Sequence, residues 1–297
     1  MRRTTIATLT GLALVGVLTA CGSAQPGEAV PAQNPGQAGA PTSAAGGGGG
    51  AAPSGPIAAL MEKSAVAMKA KKTAKVTVVG SGPKAADVGG NGLIRFDGNE
   101  VSLSMTSKTP GEDGQPPSDT KMLLVGGAMY VEAPKDGSVP PGKKWLKIDP
   151  KGTDIMSKLM GGLVQQMRDS ADPQIAIKKF GDAGTLANST PGTLDGAPAT
   201  KHKIDVDMKK LAERTTDPLQ KLGLDILLKS GMTTMSYDFW IDGQDLPKQI
   251  DFSQLMPGAD SANGISVKYS NWGEPVDIKA PAESEIAPPI QLPQPPR

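Results

Sequence analysis

Met235-Ser-Tyr-Asp-Phe-Trp-Ile-Asp-Gly-Gln-Asp-Leu-Pro-Lys-Gln-Ile-Asp-Phe252 carries the clearest structural signal in the chain. Successive side chains of a strand point to opposite faces. Met235, Tyr237, Phe239 and Ile241 therefore share one side, with Ser236 and Asp238 on the other. Asp242-Gly243-Gln244 supplies a hairpin turn. The return run puts Leu246, Ile250 and Phe252 on the apolar side, interrupted by Lys248, and Gln249, Asp251 and Ser253 on the polar side. A third run sets Ile265, Val267 and Tyr269 against Ser266 and Lys268. Strands dry on one face and wet on the other belong to an antiparallel sheet covered on a single side.

The same grammar extends toward the N-terminus. Thr200–Val206 and Thr185–Asn188 read as strands, as does Thr73–Val79. Gly92–Phe96 and Glu100–Thr106 flank Asp97-Gly98-Asn99, and in the second of them Val101, Leu103 and Met105 face one way. Met122–Val125 and Ala128–Val131 flank Gly126-Gly127, and Lys144–Ile148 follows a Pro/Gly/Lys loop. Gly80–Gly92 and Pro110–Asp119 read as loops.

Between the strands the period changes to that of a helix. Pro56–Lys72 carries Ile57, Leu60, Met61, Ala65 and Met68. Residues 154–168 carry a broad stripe of Ile155, Leu159, Met160, Leu163, Val164 and Met167, interrupted by Gly161 and Gly162. Short helices are predicted for Asp172–Phe180 and from an Asp207 cap to Glu213, and a longer one from Asp217-Pro218 to near Gly231 with Leu219, Leu222, Ile226 and Leu227. These stripes have one place to go, the dry face of the sheet. The fold class is α+β: a single curved antiparallel β-sheet, a half-barrel, with amphipathic helices covering its apolar face.

The first 55 residues are of another kind. Arg2 and Arg3 precede an apolar run from Ile6 to Val17, the layout of a secretory signal and too short to span a bilayer. The run ends in Leu18-Thr19-Ala20-Cys21, which resembles the lipobox of bacterial lipoproteins and contains the only cysteine. The resemblance implies cleavage before Cys21, a diacylglyceryl thioether with palmitate-type acylation on it, and a mature N-terminus there. Two acyl chains on one residue anchor firmly. Residues 22–55 are Ala, Gly, Pro, Ser and Gln with five glycines at Gly46–Gly50, a composition that cannot bury a core. The expected plan is 1–20 signal peptide, 21–55 lipidated Cys and flexible linker, 56–282 folded domain and 283–297 Pro-rich tail. The place of action is the outer face of the cytoplasmic membrane.

Composition closes several routes. The chain has 31 basic and 30 acidic side chains and only 3% aromatic residues, so neither a field nor a stacking platform points to nucleic acid. His202 is the only histidine and sits in register with Ile204 and Val206, which reads as a structural strand residue. No Gly-x-Ser-x-Gly surrounds a serine, no ligand cluster suggests a metal, and the glycine runs lack the lysine of a phosphate loop. Trp145, Trp240 and Trp272 read as packing. No enzyme, cofactor or metal is expected.

The order of motifs resembles the LppX/LprG-type lipoproteins of actinobacteria. The lipobox at Cys21, the helix-then-strand opening Ile57–Val79 and the Gly-Gly-Ala-Met-Tyr-Val hairpin at 126–131 are similar to theirs. So are the aliphatic helix 154–168, the hairpin Tyr237–Pro247 and the closing Asn271-Trp-Gly-Glu-Pro-Val276 through Pro281. The resemblance covers about 57–281 and implies a LolA-like half-barrel that binds lipids or glycolipids and carries them across the cell envelope. The long Gly/Pro tether and the Pro-rich loop at 110–117 depart from the family and leave the ligand's identity open. The expected partners are a lipid or glycolipid, the membrane through Cys21 and an envelope protein, with the protein itself a monomer. One cavity wall is expected from Ile155, Leu159, Met160, Leu163, Val164 and Met167, the other from Val101, Leu103 and Met105. Periodicity alone does not separate a lined pocket from a filled core. The alternative is an envelope interaction or sensing module with no lipid cargo.

Overall fold

The computed structural model describes residues 56–81, 89–98, 100–109, 118–134, 137–171, 183–215, 218–253 and 264–289. The leader, Cys21, the linker and the expected helix at 172–180 lie outside them. Helix α1 (Pro56–Lys71) is followed by six strands, β1 (Thr73–Ser81), β2 (Gly89–Asp97), β3 (Glu100–Thr109), β4 (Ser118–Val125), β5 (Ala128–Glu132) and β6 (Trp145–Ile148). Helix α2 (Ile155–Ala171) leads to a second set, β7 (Gly184–Leu194), β8 (Ala197–Asp207), β9 (Thr234–Asp242), β10 (Pro247–Ser253) and β11 (Gly264–Ser270). Helices α3 (Met208–Arg214) and α4 (Pro218–Lys229) fill the β8–β9 connection.

All eleven strands form one sheet in the order β6-β5-β4-β3-β2-β1-β11-β10-β9-β8-β7. Each set is an antiparallel meander, and the two join where β1 pairs with β11, from Lys75↔Ser270 to Ser81↔Gly264. The edges β6 and β7 do not meet, so the sheet is open. Helix α1 touches β1 and β2 at the centre and also β7 at the edge, so the sheet curves around it. The expected half-barrel class is the observed one.

Tight turns gather at one end of the strands. Gly126-Gly127 and Asp195-Gly196 have positive φ at both residues, the backbone that a two-residue hairpin turn needs. The connections 133–144 and 208–233 leave the opposite end, where β1, β3 and β10 also finish, while the chain after β6 leaves the turn end.

Three expectations need correction. First, β7 and β8 are much longer than Thr185–Asn188 and Thr200–Val206. They stay paired up to Leu194↔Ala197, and Pro191 is tolerated because β7 is an edge strand. Second, Gly89–Gly92 is strand, not loop. A Cβ on Gly90 would lie 2.8 Å from the Thr106 carbonyl oxygen, and one on Gly92 2.7 Å from that of Ser104. Glycine lets β2 bend closely against β3.

Third, the domain does not end at 282. Asn271–Ala287 crosses the outer face of the sheet as a strap. Thr73 Oγ1 donates to the Glu274 carbonyl at 2.6 Å, and Arg95 Nη1 to that of Ile278 at 3.3 Å. Ile278 is 2% exposed. Ile286 bridges Trp145 in parallel and packs on Leu123, Ala128 and Tyr130. This explains the unbroken run Met122–Val125: Met122 and Leu124 face the helices, while Leu123 faces the strap.

Candidate functional site

The helices and the inner sheet face enclose one apolar cluster. It holds Ile94, Phe96, Leu124, Met129, Ile204 and Val206 with inner-face residues of β9, β10 and β11. Its distinguishing feature is methionine. Five methionines are buried in the cluster (Met105, Met122, Met129, Met167, Met208) and six more pack against it (Met61, Met68, Met156, Met160, Met232, Met235). These are 11 of the chain's 13, and the other two, Met1 and Met256, lie outside the described residues. Every described methionine thus lines one interior. An unbranched thioether adapts its shape at little cost, so such an interior can re-form around a guest.

The two expected walls meet in part. Leu103 and Met105 are buried, Val101 is half-buried, and all three belong to the cluster with Met160, Val164 and Met167. Val164 is 0% exposed. Ile155 is half-buried and stands outside the cluster, and the Leu163 side chain lies outside the description. Leu159 is 73% exposed and faces away from the sheet, which corrects its assignment to the wall. At 100° per residue, 155, 159 and 163 form one row of the helix and 160, 164 and 167 a neighbouring row. Met160, Val164 and Met167 of the second row are turned inward, and Leu159 of the first is turned out.

Local chemistry fixes that orientation. Ser157 N donates to Asp154 Oδ1 at 3.0 Å, and Asp149 N donates to Ser157 Oγ at 3.0 Å. The Ser157 hydrogen bonds hold the Asp154 carboxyl below the usual carboxylate range, side-chain bond first. Gly161 allows close approach, since a Cβ there would lie 3.1 Å from Pro150 Cα. Gly162 faces open space.

A few polar groups line the interior or its margin. Ser64, on the sheet-facing side of α1, is buried and its hydroxyl has no partner among the described residues. The Tyr269 hydroxyl is pushed up to about 12 by burial, and its ring stacks on Trp272 at 5.8 Å. His202 pairs in register with Phe239 on β9 and Ser189 on β7, and its Nδ1 lies 2.8 Å from Ser189 Oγ. Burial lowers the His202 pKa. A Ser–His pair is the start of a nucleophilic site, but catalysis also needs a group to orient the histidine and donors for an oxyanion. Among the described residues no further side chain is hydrogen-bonded to this pair. Among the described residues no three His, Cys, Asp or Glu gather as metal ligands, and no helix is long and apolar enough to cross a membrane.

Sequence reasoning did not find Ser64, Ser189 or the Tyr269–Trp272 stack as a group. The three-residue spacing of Tyr269 and Trp272 across the end of β11 was the available signal for the stack. Ser64 has one too: it falls at the i+7 position from Ile57, inside the buried row of α1. A shallow groove of about 370 Å³ also runs along the outer side of α1, lined by Ala59, Glu62, Lys63, Val66, Ala67 and Asp245.

No family model matches the chain. An uncharacterized 31.2 kDa protein of Streptomyces griseus, from the rplA-rplJ intergenic region, is 23% identical over 148 residues. The match covers 48% of this chain and 48% of that protein, so the chain spans about half of its length. Among solved structures, LprF from Mycobacterium bovis is 14% identical with a TM-score of 0.45, covering 78% of this chain and all of that one. MucB in complex with MucA is 10% identical with a TM-score of 0.37, over 80% of this chain and 62% of that one. A LolA superfamily protein from Nitrosomonas europaea is 11% identical with a TM-score of 0.27, over 72% and 90%.

Proposed function

We propose that this protein is a lipid-anchored envelope carrier that holds the acyl chains of a lipid or glycolipid between its helices and the inner face of its sheet. The observation that carries this reading is the gathering of every described methionine into one interior. A fixed core gains little from eleven flexible side chains, whereas a site that must close when empty and open around a guest does. Burying one CH₂ is worth about 0.8 kcal/mol, so two acyl chains can be held with few polar contacts and with loose reading of their length. The leader and lipobox support acylation at Cys21 and a place on the outer face of the cytoplasmic membrane. The carrier makes and breaks no bond, and acts as a monomer.

The test is organic extraction of the purified protein, repeated on Val164→Trp. Extractable lipid is expected from the parent and little from the variant, whose melting point should stay near that of delipidated parent as methionines shift. A parent without lipid, together with a variant destabilised by roughly 1–3 kcal/mol through overpacking, would mean a filled core and a different function.

A further inference from the structure

Helix α4 is seated on the fold by one side only. Leu224 is 2% exposed, and Leu227 and Leu228 pack against the core. On the opposite side Leu222 and Ile226 are 56% and 58% exposed. They are four residues apart and so form one row, which Lys229 continues at i+7. Lys221 is exposed on the flank of the row, and Lys209 and Lys210 are exposed on α3, which packs against α4.

Charge around the row is one-sided. The two described helices carry Lys209, Lys210, Arg214, Lys221 and Lys229 against Glu213 and Asp225, five basic to two acidic, a net +3. The entire chain sums to +1. The pair of helices fills one of the long connections at the end of the sheet where such connections gather. An aliphatic row set among lysines is the make-up of a helix that lies in a headgroup layer, its apolar side dipping in and its cations over lipid phosphates.

We propose that α4 docks the fold onto the surface of an anionic bilayer, with Leu222 and Ile226 inserted among the headgroups and Lys209, Lys210, Lys221 and Lys229 over the phosphates. A protein groove would also take the aliphatic pair, but the surrounding cations favour an anionic lipid surface. The proposal is independent of what the interior holds and of acylation at Cys21.

The test is vesicle flotation of the chain from Gly22 to Arg297, which carries every described element and no acyl group. Vesicles of phosphatidylglycerol with phosphatidylcholine are compared with phosphatidylcholine alone. The parent should float with the anionic vesicles, lose most of that binding at high salt, and stay behind with the neutral ones. Leu222→Asp together with Ile226→Asp should weaken anionic binding by roughly tenfold or more, about what one aliphatic side chain left in water costs. Lys221→Glu with Lys229→Glu should weaken it too, and all variants should melt with the parent because these side chains are exposed. Flotation of the aliphatic double variant like the parent overturns the proposal, as does equal binding to neutral vesicles. Absence of flotation, with the row instead protected by an envelope protein, overturns it in favour of a protein partner.

Discussion

The two edges of the sheet are finished in different ways. β6 is four residues long and is closed by chain from far away in sequence. Ile286 bridges Trp145, Ala287 N donates to the Trp145 carbonyl at 2.8 Å, and Lys144 N donates to that of Glu285 at 2.8 Å. β7 is eleven residues long, exposed along most of its length, and among the described residues has no strand on its outer side. It is blunted from within: a bulge falls between Leu186 and Asn188, and Pro191 has no N–H to offer. The short edge needs a partner because it closes a patch of core, with Leu123 and Tyr130 beneath the strap. The long edge has little apolar surface to hide, so breaking its regularity is enough.

The largest effect should come from breaking the covered edge. Ile286→Ala removes the side chain that packs on Leu123, Ala128 and Tyr130. A loss of about 2–4 kcal/mol in urea unfolding is expected, the usual range for a buried aliphatic truncated in a core. A loss near zero would mean that the strap only rests on the sheet. The open edge should respond in another quantity. Pro191→Val restores a ladder N–H on a solvent-facing strand. Stability should move by no more than about 0.5 kcal/mol, while light scattering shows association that grows with concentration. A variant that associates no more than the parent would mean that the bulge alone protects β7.

The same contrast separates what the residues disclosed from what they hid. Alternation in 235–252 and the Gly-Gly turn at 126–127 are local, and both hairpins stand where periodicity puts them. Asp195-Gly196 was a local signal as well, but Pro191 and Pro198 broke the β pattern on both sides of it. The strap had no periodicity to read: Ile278 and Ile286 are isolated aliphatics in a Pro/Ala/Glu run, and only their distant partners give them meaning. Helical stripes failed in a third way. Leu159, Leu222 and Ile226 are as apolar as their neighbours Val164 and Leu224, yet they face out. A period reveals that a row is apolar, and tertiary packing decides which of two adjacent rows is turned inward.

The smallest effect concerns how the open edge is held to its neighbour. His202 on β8 meets Ser189 on β7 at 2.8 Å, the one side-chain hydrogen bond between these strands among the described residues. The hydroxyl can donate to a neutral Nδ1 or accept from a protonated one, so this bond survives titration. What remains is burial, which disfavours the charged ring and lowers its pKa from 6.5. The unfolded chain then takes up the proton first as pH falls. Stability is unaffected above about pH 6.5, and it declines as pH drops from there through the folded-state value, below which both states are protonated. The ring is only half-buried, so the decline should be well under about 1 kcal/mol. Carboxylates titrate lower, and subtracting a His202→Gln variant removes them: the difference in unfolding free energy between pH 8 and pH 5 should be smaller in the variant than in the parent. A variant with the parent's full pH dependence would show that burial of His202 at this edge contributes nothing to it.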